Sequence, residues 1–212
     1  MRGVFITFEG VEGSGKSTQA ERLARSLEQS GICCVLSREP GGTSIGESIR
    51  GVLLDPANNL MDARTELLLY LASRNQHVRE KVLPALREGK VVVLDRYAES
   101  SVAYQGGGRK LGEKLVSRLN RLATAALRPD MTILVDVPIA IGRSRKRTTE
   151  LDRLERERVE FHERVRDSYL RMARRAPKRI RLLDGTKPEE ELEAEVRSMV
   201  DELLSEKGFD RR

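Results

Sequence analysis

Short apolar runs alternate with longer segments of mixed polarity along the whole chain. The apolar runs predict five strands, and the third and fourth are nearly continuous, which is typical of parallel strands covered on both faces. The predicted strands are residues 4–8, 32–36, 90–94, 131–137 and 179–183. Helical spacing predicts helices at residues 17–29, 45–54, 63–87, 97–104, 111–127 and 139–147, a charged helix ending near residue 175, and a C-terminal helix that opens at Pro188.

The alternation of strands and helices predicts one α/β domain over residues 1–212, with a five-stranded parallel sheet and helices on both faces. The length fits a single domain, and no repeat or low-complexity linker divides the chain. Ligands of such sheets bind beyond the carboxyl ends of the strands. Informative polar clusters follow four of the strands, at residues 10–18, 38–43, 95–97 and 136–138.

Two local signals interrupt the helical pattern. Pro84 lies inside the 63–87 segment, so we expect a kink or a new segment there. Residues 105–108 read Gln-Gly-Gly-Gly and are expected to form a flexible break between two helices. At the start of the 63–87 segment, Asp62 is a good candidate for the helix N-cap.

The first polar cluster carries the phosphate-loop pattern G-x-x-x-x-G-K-[ST] directly after a strand. Its glycines permit the positive φ angles that a nest of N–H groups around a phosphate needs. Lys16 can follow the β- and γ-phosphates, Ser17 can offer a hydroxyl to Mg²⁺, and the following helix adds its N-terminal dipole. The pattern predicts a nucleoside triphosphate site made of Gly10, Val11, Glu12, Gly13, Ser14, Gly15, Lys16, Ser17 and Thr18.

The net charge of +6 has two interpretations. Basic residues can form a solvated surface and supply phosphate ligands, or they can form a nucleic-acid-binding face. Basic and acidic residues are mixed along residues 150–166, and the chain has eight aromatic residues and no Trp. Mixed charge indicates helices with ion pairs, and few aromatics leave little for stacking bases, so we expect no nucleic-acid partner.

The cysteine pattern and the hydropathy indicate the cellular compartment in which the protein is expected. Cys33 and Cys34 are adjacent in a predicted strand, where neighbouring side chains point to opposite faces, so we expect two reduced thiols. Two cysteines and two histidines give no zinc pattern. No apolar stretch approaches 18 residues and no signal-peptide pattern precedes the first strand, so we expect a cytoplasmic protein without a membrane partner.

Several clusters occur together in one order and carry a family resemblance. These are Glu9 to Thr18, Arg38-Glu39-Pro40-Gly41-Gly42-Thr43, Asp95-Arg96-Tyr97 with Ser100-Ser101 and Ala103-Tyr104-Gln105-Gly106, and Leu151-Asp152-Arg153. From about residue 3 to residue 188 the chain resembles the thymidylate kinase family. The resemblance implies the P-loop nucleoside monophosphate kinase fold with a lid, and ATP- and Mg²⁺-dependent phosphorylation of dTMP to dTDP in dTTP synthesis.

A kinase of this class needs one cationic clamp for the donor triphosphate and another for the acceptor phosphate. Lys16 and the loop amides serve the donor. The resemblance implies that Arg96 and Arg50 hold the acceptor phosphate, with Glu39 and Pro40 in the neighbouring loop. Asp95 is expected to act on Mg²⁺ through water or to hold Arg96, and its plainer interpretation is a helix cap or an ion-pair partner.

The resemblance also implies a pocket for the base and the sugar. Tyr70 and Arg74 are four residues apart, hence on one helix face, and would stack on thymine and donate to its carbonyl oxygen. Gln105 would read the base edge, and Tyr104 would lie beside the sugar 2′ carbon. The remaining expected substrate contacts are Glu12 at the 3′-hydroxyl and Ser100 and Ser101 in the base pocket.

A lid is expected at about residues 142–155. Its basic residues are Arg143, Arg145, Lys146, Arg147 and Arg153. The variable positions of the phosphate loop hold no basic residue, which resembles the bacterial arrangement with the catalytic arginine in the lid. The chain departs from the family by having Thr148-Thr149 before the Leu-Asp-Arg segment, so the choice among Arg143, Arg147 and Arg153 stays open, with Arg147 or Arg153 expected.

Three alternatives are kept beside the resemblance. The first is a kinase for another nucleoside monophosphate, such as AMP or GMP. The second is a deoxynucleoside kinase, which needs a carboxylate general base such as Glu39 or Asp95. The third is a P-loop switch or a DNA-associated ATPase. The family is homodimeric, and an apolar face with Leu67, Leu68 and Leu71 fits either a dimer interface or the core.

Overall fold

The computed structural model describes residues 3–145 and 151–209, and within them five parallel strands form one sheet in the order β2-β3-β1-β4-β5. The strands are β1 Phe5–Glu9, β2 Cys34–Arg38, β3 Val91–Asp95, β4 Met131–Asp136 and β5 Ile180–Asp184. Each strand ends in a polar residue, and neighbouring ends are in register, for example Phe8 beside Asp95 and Arg38 beside Asp95. The predicted α/β class and the five-stranded parallel sheet are confirmed.

Helices cover both faces of the sheet. They are α1 Lys16–Gln29, α2 Ser44–Leu54, α3 Ala63–His77, α4 Leu83–Arg87, α5 Ala98–Ser101, α6 Glu113–Ala123, α7 Ile139–Ser144, α8 Val159–Arg175 and α9 Glu189–Glu206. On one face, α1 and α9 bury the alternate strand positions that include Ile6, Val93 and Ile133. On the other face, α4 covers Phe5 and Val92, and α8 covers the β4 side. No helix of the described residues is long and apolar enough to span a membrane.

Four of the five strands end further along the chain than the hydropathy pattern predicts, whereas the fourth ends at Asp136, one residue before the predicted end. The second strand ends at Arg38 rather than at residue 36, and the third includes Asp95. Backbone pairing continues past the last apolar side chain because hydrogen bonding between strands does not depend on polarity. This extension brings the polar ends of β2 and β3 side by side at the edge where a ligand is expected.

The predicted 63–87 helix is interrupted by a π-helical turn at Val78–Val82. Pro84 follows it at the second position of α4. Proline has no N–H and its ring collides with the carbonyl four residues earlier, so a wider turn before it relieves the clash. The side chain of Asp62 accepts from the N–H of Arg64, which confirms the predicted N-cap.

The predicted flexible break at residues 105–108 is wrong. Val102–Gly108 forms a π-helical segment that continues α5 and packs on α8. A Cβ on Gly108 would come within 2.6 Å of the Phe161 ring, and one on Gly107 within 2.9 Å of the Ser168 Cβ. The glycines therefore serve close helix packing, which turn statistics alone do not reveal.

Candidate active site

The phosphate loop joins β1 to α1 and has the backbone that the motif predicts. Gly10, Gly13 and Gly15 have φ angles of 147°, 71° and 91°. A Cβ on Gly13 would lie 2.0 Å from the Gly142 carbonyl oxygen, so no other residue fits at that position. The loop N–H groups and the amino end of α1 form a site for phosphate oxygens. The buried Lys16 Nζ lies 3.5 Å from the Val11 carbonyl oxygen and 3.7 Å from Glu12 Oε2.

Ser17 and Asp95 meet beside this loop and suit a divalent cation. The Ser17 hydroxyl donates to Asp95 Oδ2, while Asp95 Oδ1 is buried without a hydrogen-bond partner. Hydroxyl and carboxylate oxygens are the ligands that Mg²⁺ prefers, and Mg²⁺ usually takes its other ligands from phosphates and water. The part of the chain that the structure describes holds no cluster of three His, Cys, Asp or Glu residues for a dedicated metal site. The residues present fit a cation that arrives with a nucleotide.

Arg96 follows β3 with a φ of 73°, a left-handed conformation that is uncommon for arginine. Its Nη1 donates to the Gly10 carbonyl oxygen at 3.0 Å, and its Nη2 donates to Glu12 and, at 3.2 Å, to the Tyr104 hydroxyl. Burial disfavours its charge, but the Glu12 carboxylate raises the pKa of Arg96 well above its ordinary value. A backbone held in this rare conformation places a permanent cation beside the phosphate loop.

A cavity of about 180 Å³ lies against Arg96 at the carboxyl ends of β1, β2 and β3. The structure brings most of the predicted substrate residues to it. Its walls include Glu12, Lys16, Ser17, Glu39, Pro40, Arg50, Tyr70, Asp95, Arg96, Ser100, Ser101, Tyr104 and Gln105. Arg38, Asp152 and Glu155 also line it and were not predicted as substrate contacts.

Arg50 extends from α2 to the same cavity. Its Nη1 donates to the Pro40 carbonyl oxygen at 2.9 Å, which fixes the guanidinium at the cavity wall. Burial and the neighbouring Arg38 lower the pKa of Arg50. Two guanidinium groups that repel each other at a partly buried wall are stabilised by an anion between them. This charge arrangement favours a phosphate as the occupant.

A second, open cavity of about 820 Å³ lies on the other side of the phosphate loop. Residues 12–19 form one wall, and Arg145 with the loop from Gly185 to Glu189 forms the other. Arg145 donates to the Gly185 carbonyl oxygen at 2.8 Å, which joins the end of α7 to the loop after β5. Because Lys16 borders both cavities, a nucleotide in one can meet a phosphate in the other. No sequence motif predicted a binding role for residues 185–189.

Arg74 is not brought to the cavity. Its side chain is 1% exposed, and its guanidinium donates to Glu39, Ser101, Asn120 and the Tyr97 carbonyl oxygen at 2.6–2.8 Å. The prediction that Arg74 donates directly to a base carbonyl does not match this placement. The residue instead holds Glu39 and Ser101, which do line the cavity. Helical spacing gives the face of a residue but not how far its side chain reaches.

The side-chain amide of Gln105 has its nitrogen hydrogen-bonded to the protein and its oxygen without a hydrogen-bond partner. Its Nε2 donates to the fully buried Glu66 carboxylate at 2.8 Å. Burial disfavours the charge on Glu66, but Arg109, Gln105 and Arg153 outweigh it and lower the pKa of Glu66, so this carboxylate only accepts. The amide orientation of Gln105 follows, and its Oε1 is left as a buried acceptor without a partner.

Arg153 lies away from the cavity in this conformation. Its Nη1 pairs with Glu66 at 2.6 Å, and its Nε donates to the Leu53 carbonyl oxygen at 3.0 Å. Asp152 accepts from the N–H groups of Leu154 and Glu155 and so forms a tight turn, and α8 begins four residues after Glu155, at Val159. Arg147, the other expected lid arginine, lies outside the described residues.

Glu9 is a buried carboxylate at the site that the sequence-based prediction did not assign. It is the last residue of β1 and 0% exposed, and it accepts from Ser100 and Tyr169. Burial, and then the neighbouring Glu99, raise the pKa of Glu9 to about 7. An acid at the end of an otherwise apolar strand was the signal that could have identified it.

The parallel sheet, the phosphate loop and the guanidinium groups of Arg96 and Arg50 at one cavity define a P-loop nucleoside monophosphate kinase. A sequence profile described as thymidylate kinase matches residues 8–196. The chain therefore belongs to the thymidylate kinase family.

Similar proteins agree with this assignment. A thymidylate kinase of Geobacter sulfurreducens is 47% identical over 210 residues, covering 96% of this chain and 97% of that protein. One from Lacticaseibacillus casei is 49% identical over 199 residues, covering 92% and 93%. The crystal structure of thymidylate kinase from Ehrlichia chaffeensis aligns with a TM-score of 0.77 at 33% identity, covering 95% of this chain and 99% of that chain.

Proposed function

We propose that this chain transfers the γ-phosphoryl group of ATP to the phosphate of dTMP, with Mg²⁺, and supplies dTDP for dTTP synthesis. The observation that carries the proposal is that Lys16 borders both cavities, while Arg96 and Arg50 line the smaller one. The larger cavity then holds the donor and the smaller one the acceptor. A kinase has to bring two mutually repelling phosphates together, and these cations reduce the repulsion.

The proposed mechanism uses alignment and charge neutralisation. The acceptor oxygen of dTMP is already ionised at neutral pH, so no side chain has to act as a strong general base. Lys16 and the loop N–H groups hold the donor phosphates, while Arg96 and Arg50 hold the acceptor phosphate in line with them. Mg²⁺, held by Ser17 and Asp95, would neutralise charge on the donor phosphates.

Recognition of thymine is proposed to use the free acceptor of Gln105. Thymine carries a hydrogen on N3, whereas the N3 of cytosine is an acceptor. Because the Gln105 amide is oriented by Glu66, its Oε1 would accept from thymine and would face an acceptor in cytosine. Tyr70 would stack on the base, with Ser100 and Ser101 along the same wall.

Selection against a ribose is proposed to use Tyr104 and Glu12. Glu12 Oε1 accepts from the Tyr104 hydroxyl at 3.3 Å and from Arg96, so one carboxylate orders both residues. Glu12 would then accept a hydrogen bond from the 3′-hydroxyl of the sugar. A tyrosine ring against the 2′ carbon would leave no room for a second hydroxyl.

The lid is proposed to supply one more cation to the transferring group. Arg153 would have to leave Glu66 to do so, which costs a buried ion pair. Arg147 carries the role in this proposal if Arg153 stays in place.

An acceptor panel tests the proposed function. The assay follows ADP release from ATP and Mg²⁺ with dTMP, dUMP, dCMP, dGMP, AMP or thymidine as acceptor. We expect strong preference for dTMP. Preference for a purine monophosphate would refute the base assignment, and activity with thymidine alone would favour a deoxynucleoside kinase. Release of ADP that needs no acceptor would favour a P-loop switch.

Replacing Gln105 with leucine should lower kcat/KM for dTMP by about 10- to 100-fold, because a buried hydrogen bond to the base is lost. Selectivity for dTMP over dCMP should fall with it. Gln76→Leu is a matched control, since Gln76 lies on α3 and donates to Glu80 outside the cavity. Unchanged selectivity in Gln105→Leu, or an equal loss in the control, would contradict the assignment.

We also propose that the protein is a homodimer and is located in the cytoplasm. Leu67 and Leu71 are buried in the core, whereas Leu68 of α3 is 60% exposed and Leu122 of the neighbouring α6 is 80% exposed. Exposed leucines on adjoining helices suit an interface with a second copy. Sedimentation equilibrium of the protein should give twice the chain mass, and a monomer at micromolar concentration would contradict the dimer. Both cysteines are free, as expected in a reducing compartment.

A further inference from the structure

Glu9 receives four hydrogen bonds although no water reaches it. Its Oε1 accepts from the backbone N–H groups of Tyr97 at 2.8 Å and Ser100 at 3.2 Å. Its Oε2 accepts from the Ser100 hydroxyl at 2.6 Å and the Tyr169 hydroxyl at 2.8 Å. The same two hydroxyls accept from Arg96 Nη1 at 3.2 and 3.3 Å. Glu9 is thus separated from the guanidinium by one layer of hydroxyl groups.

We propose that Glu9 is a positioning residue that holds the Arg96 guanidinium through the hydroxyls of Ser100 and Tyr169. The proposal rests on the proposed function, in which Arg96 holds the acceptor phosphate. Each hydroxyl has one proton. When both protons are donated to the carboxylate, both oxygens present only lone pairs to Arg96, which can only donate. The ionised form of Glu9 therefore keeps both hydroxyls oriented as acceptors for the Arg96 guanidinium, which holds the acceptor phosphate in the proposed function.

Protonation of Glu9 would disturb this arrangement. A proton on Oε1 would face two backbone N–H groups, so it has to lie on Oε2. The acid would then donate to one of the two hydroxyls, and that hydroxyl would have to turn its own proton away, toward Arg96 or toward the other hydroxyl. Arg96 would lose at least one of its acceptors and its fixed orientation.

The surroundings of Glu9 place this change near neutral pH. Burial and the Glu99 charge raise the pKa of Glu9 to about 7, while Ser100, Arg96 and Tyr169 act in the opposite direction. The charged and titratable groups that face it are Arg96 after β3, Glu99 on α5, Tyr169 on α8 and Arg74 on α3. Arg179 pairs with Glu99 at 2.7 Å and offsets part of its charge.

The test compares wild type with Glu9→Gln across about pH 6 to 8.5 at saturating ATP. We expect kcat/KM for dTMP to be about tenfold lower in the variant at the high-pH end and nearly equal at the low-pH end, where wild-type Glu9 is itself protonated. The KM for ATP should not change. Because dTMP also titrates near pH 6, the ratio of the two enzymes is the readout, and it cancels the substrate's own titration.

A second variant tests the positioning role of Glu9 if Glu9→Gln does not fold. Tyr169→Phe removes one donor from the carboxylate, so the acidic limb of the kcat/KM profile should move up by about one pH unit. Tyr97→Phe is the matched control, since its hydroxyl donates to the Leu127 carbonyl oxygen and not to Glu9. The limb of the control should stay in place.

Different outcomes would refute the positioning role of Glu9 and the proposed thymidylate kinase activity. Normal dTMP turnover with a deficit in Glu9→Gln that is the same at every pH would show a merely structural role and overturn the inference. A limb that does not move in Tyr169→Phe would overturn it as well. A wild type that turns over no dTMP would refute the proposed function itself, and the role of Glu9 with it.

Discussion

Replacing Arg96 with alanine should lower kcat for the dTMP reaction by about 10²–10³-fold, because a preorganised cation at the reacting phosphate is lost. We expect little change in the folded fraction of the protein, because the Arg96 side chain is not part of the hydrophobic cores on either face of the sheet. Steady-state kinetics with dTMP, together with circular dichroism, give both quantities. Retained activity with an unchanged spectrum would refute the assignment of Arg96.

A matched control for this experiment is Arg121→Ala. Arg121 is an exposed arginine on α6 that does not line the substrate cavity. It carries the same charge, so it reports the effect of net charge on the binding of anionic substrates. We expect kcat within about twofold of wild type, because distant surface charges are screened by salt. An equal loss in both variants would point to the overall field rather than to the acceptor clamp.

Replacing Arg74 with methionine should lower the free energy of unfolding by about 3–5 kcal/mol, because it leaves the buried Glu39 carboxylate without its guanidinium. Burial alone would raise the pKa of Glu39, but Arg74 and His77 outweigh it and lower that pKa. The stability from this ionised group is present at neutral pH and is lost as the pH falls through the folded pKa. The difference in the free energy of unfolding between wild type and variant should therefore become smaller in acid. Urea unfolding at two pH values measures it.

Arg38→Ala is the control for this stability prediction. Arg38 pairs with Glu47 at 3.2 Å, and both side chains are more than two-fifths exposed, at 47% and 43%. An exposed pair contributes roughly 0–1 kcal/mol because water competes for both charges. A small loss in Arg74→Met, similar to that of Arg38→Ala, would contradict the structural role of Arg74.

The sequence was informative where the local backbone conformation or the ligand restricts a position to one or two residue types. Gly13 and Gly15 are required by positive φ angles, and Lys16 and Ser17 follow from the phosphate-loop spacing. The alternation of apolar runs and helical patterns was enough to predict the parallel sheet. These signals lie within a few residues of one another along the chain.

The sequence was less informative where a role depends on distant contacts. Arg74 was predicted from helical spacing and Arg153 from a sequence motif, yet their partners are Glu39 and Glu66, which are 35 and 87 positions away. Periodicity places a side chain on a face but does not say which carboxylate it meets in the folded chain. Glu9 was missed for the same reason, because its four donors come from α5, α8 and the turn before α5.

Phosphoryl transfer between two nucleotides can be followed directly by ³¹P nuclear magnetic resonance of the reaction. Wild-type protein is mixed with ATP, Mg²⁺ and dTMP, and the phosphorus signals are followed with time. We expect ADP and dTDP to appear in equal amounts while ATP and dTMP disappear. Formation of ADP and inorganic phosphate with dTMP unchanged would contradict it, since that result is ATP hydrolysis without transfer.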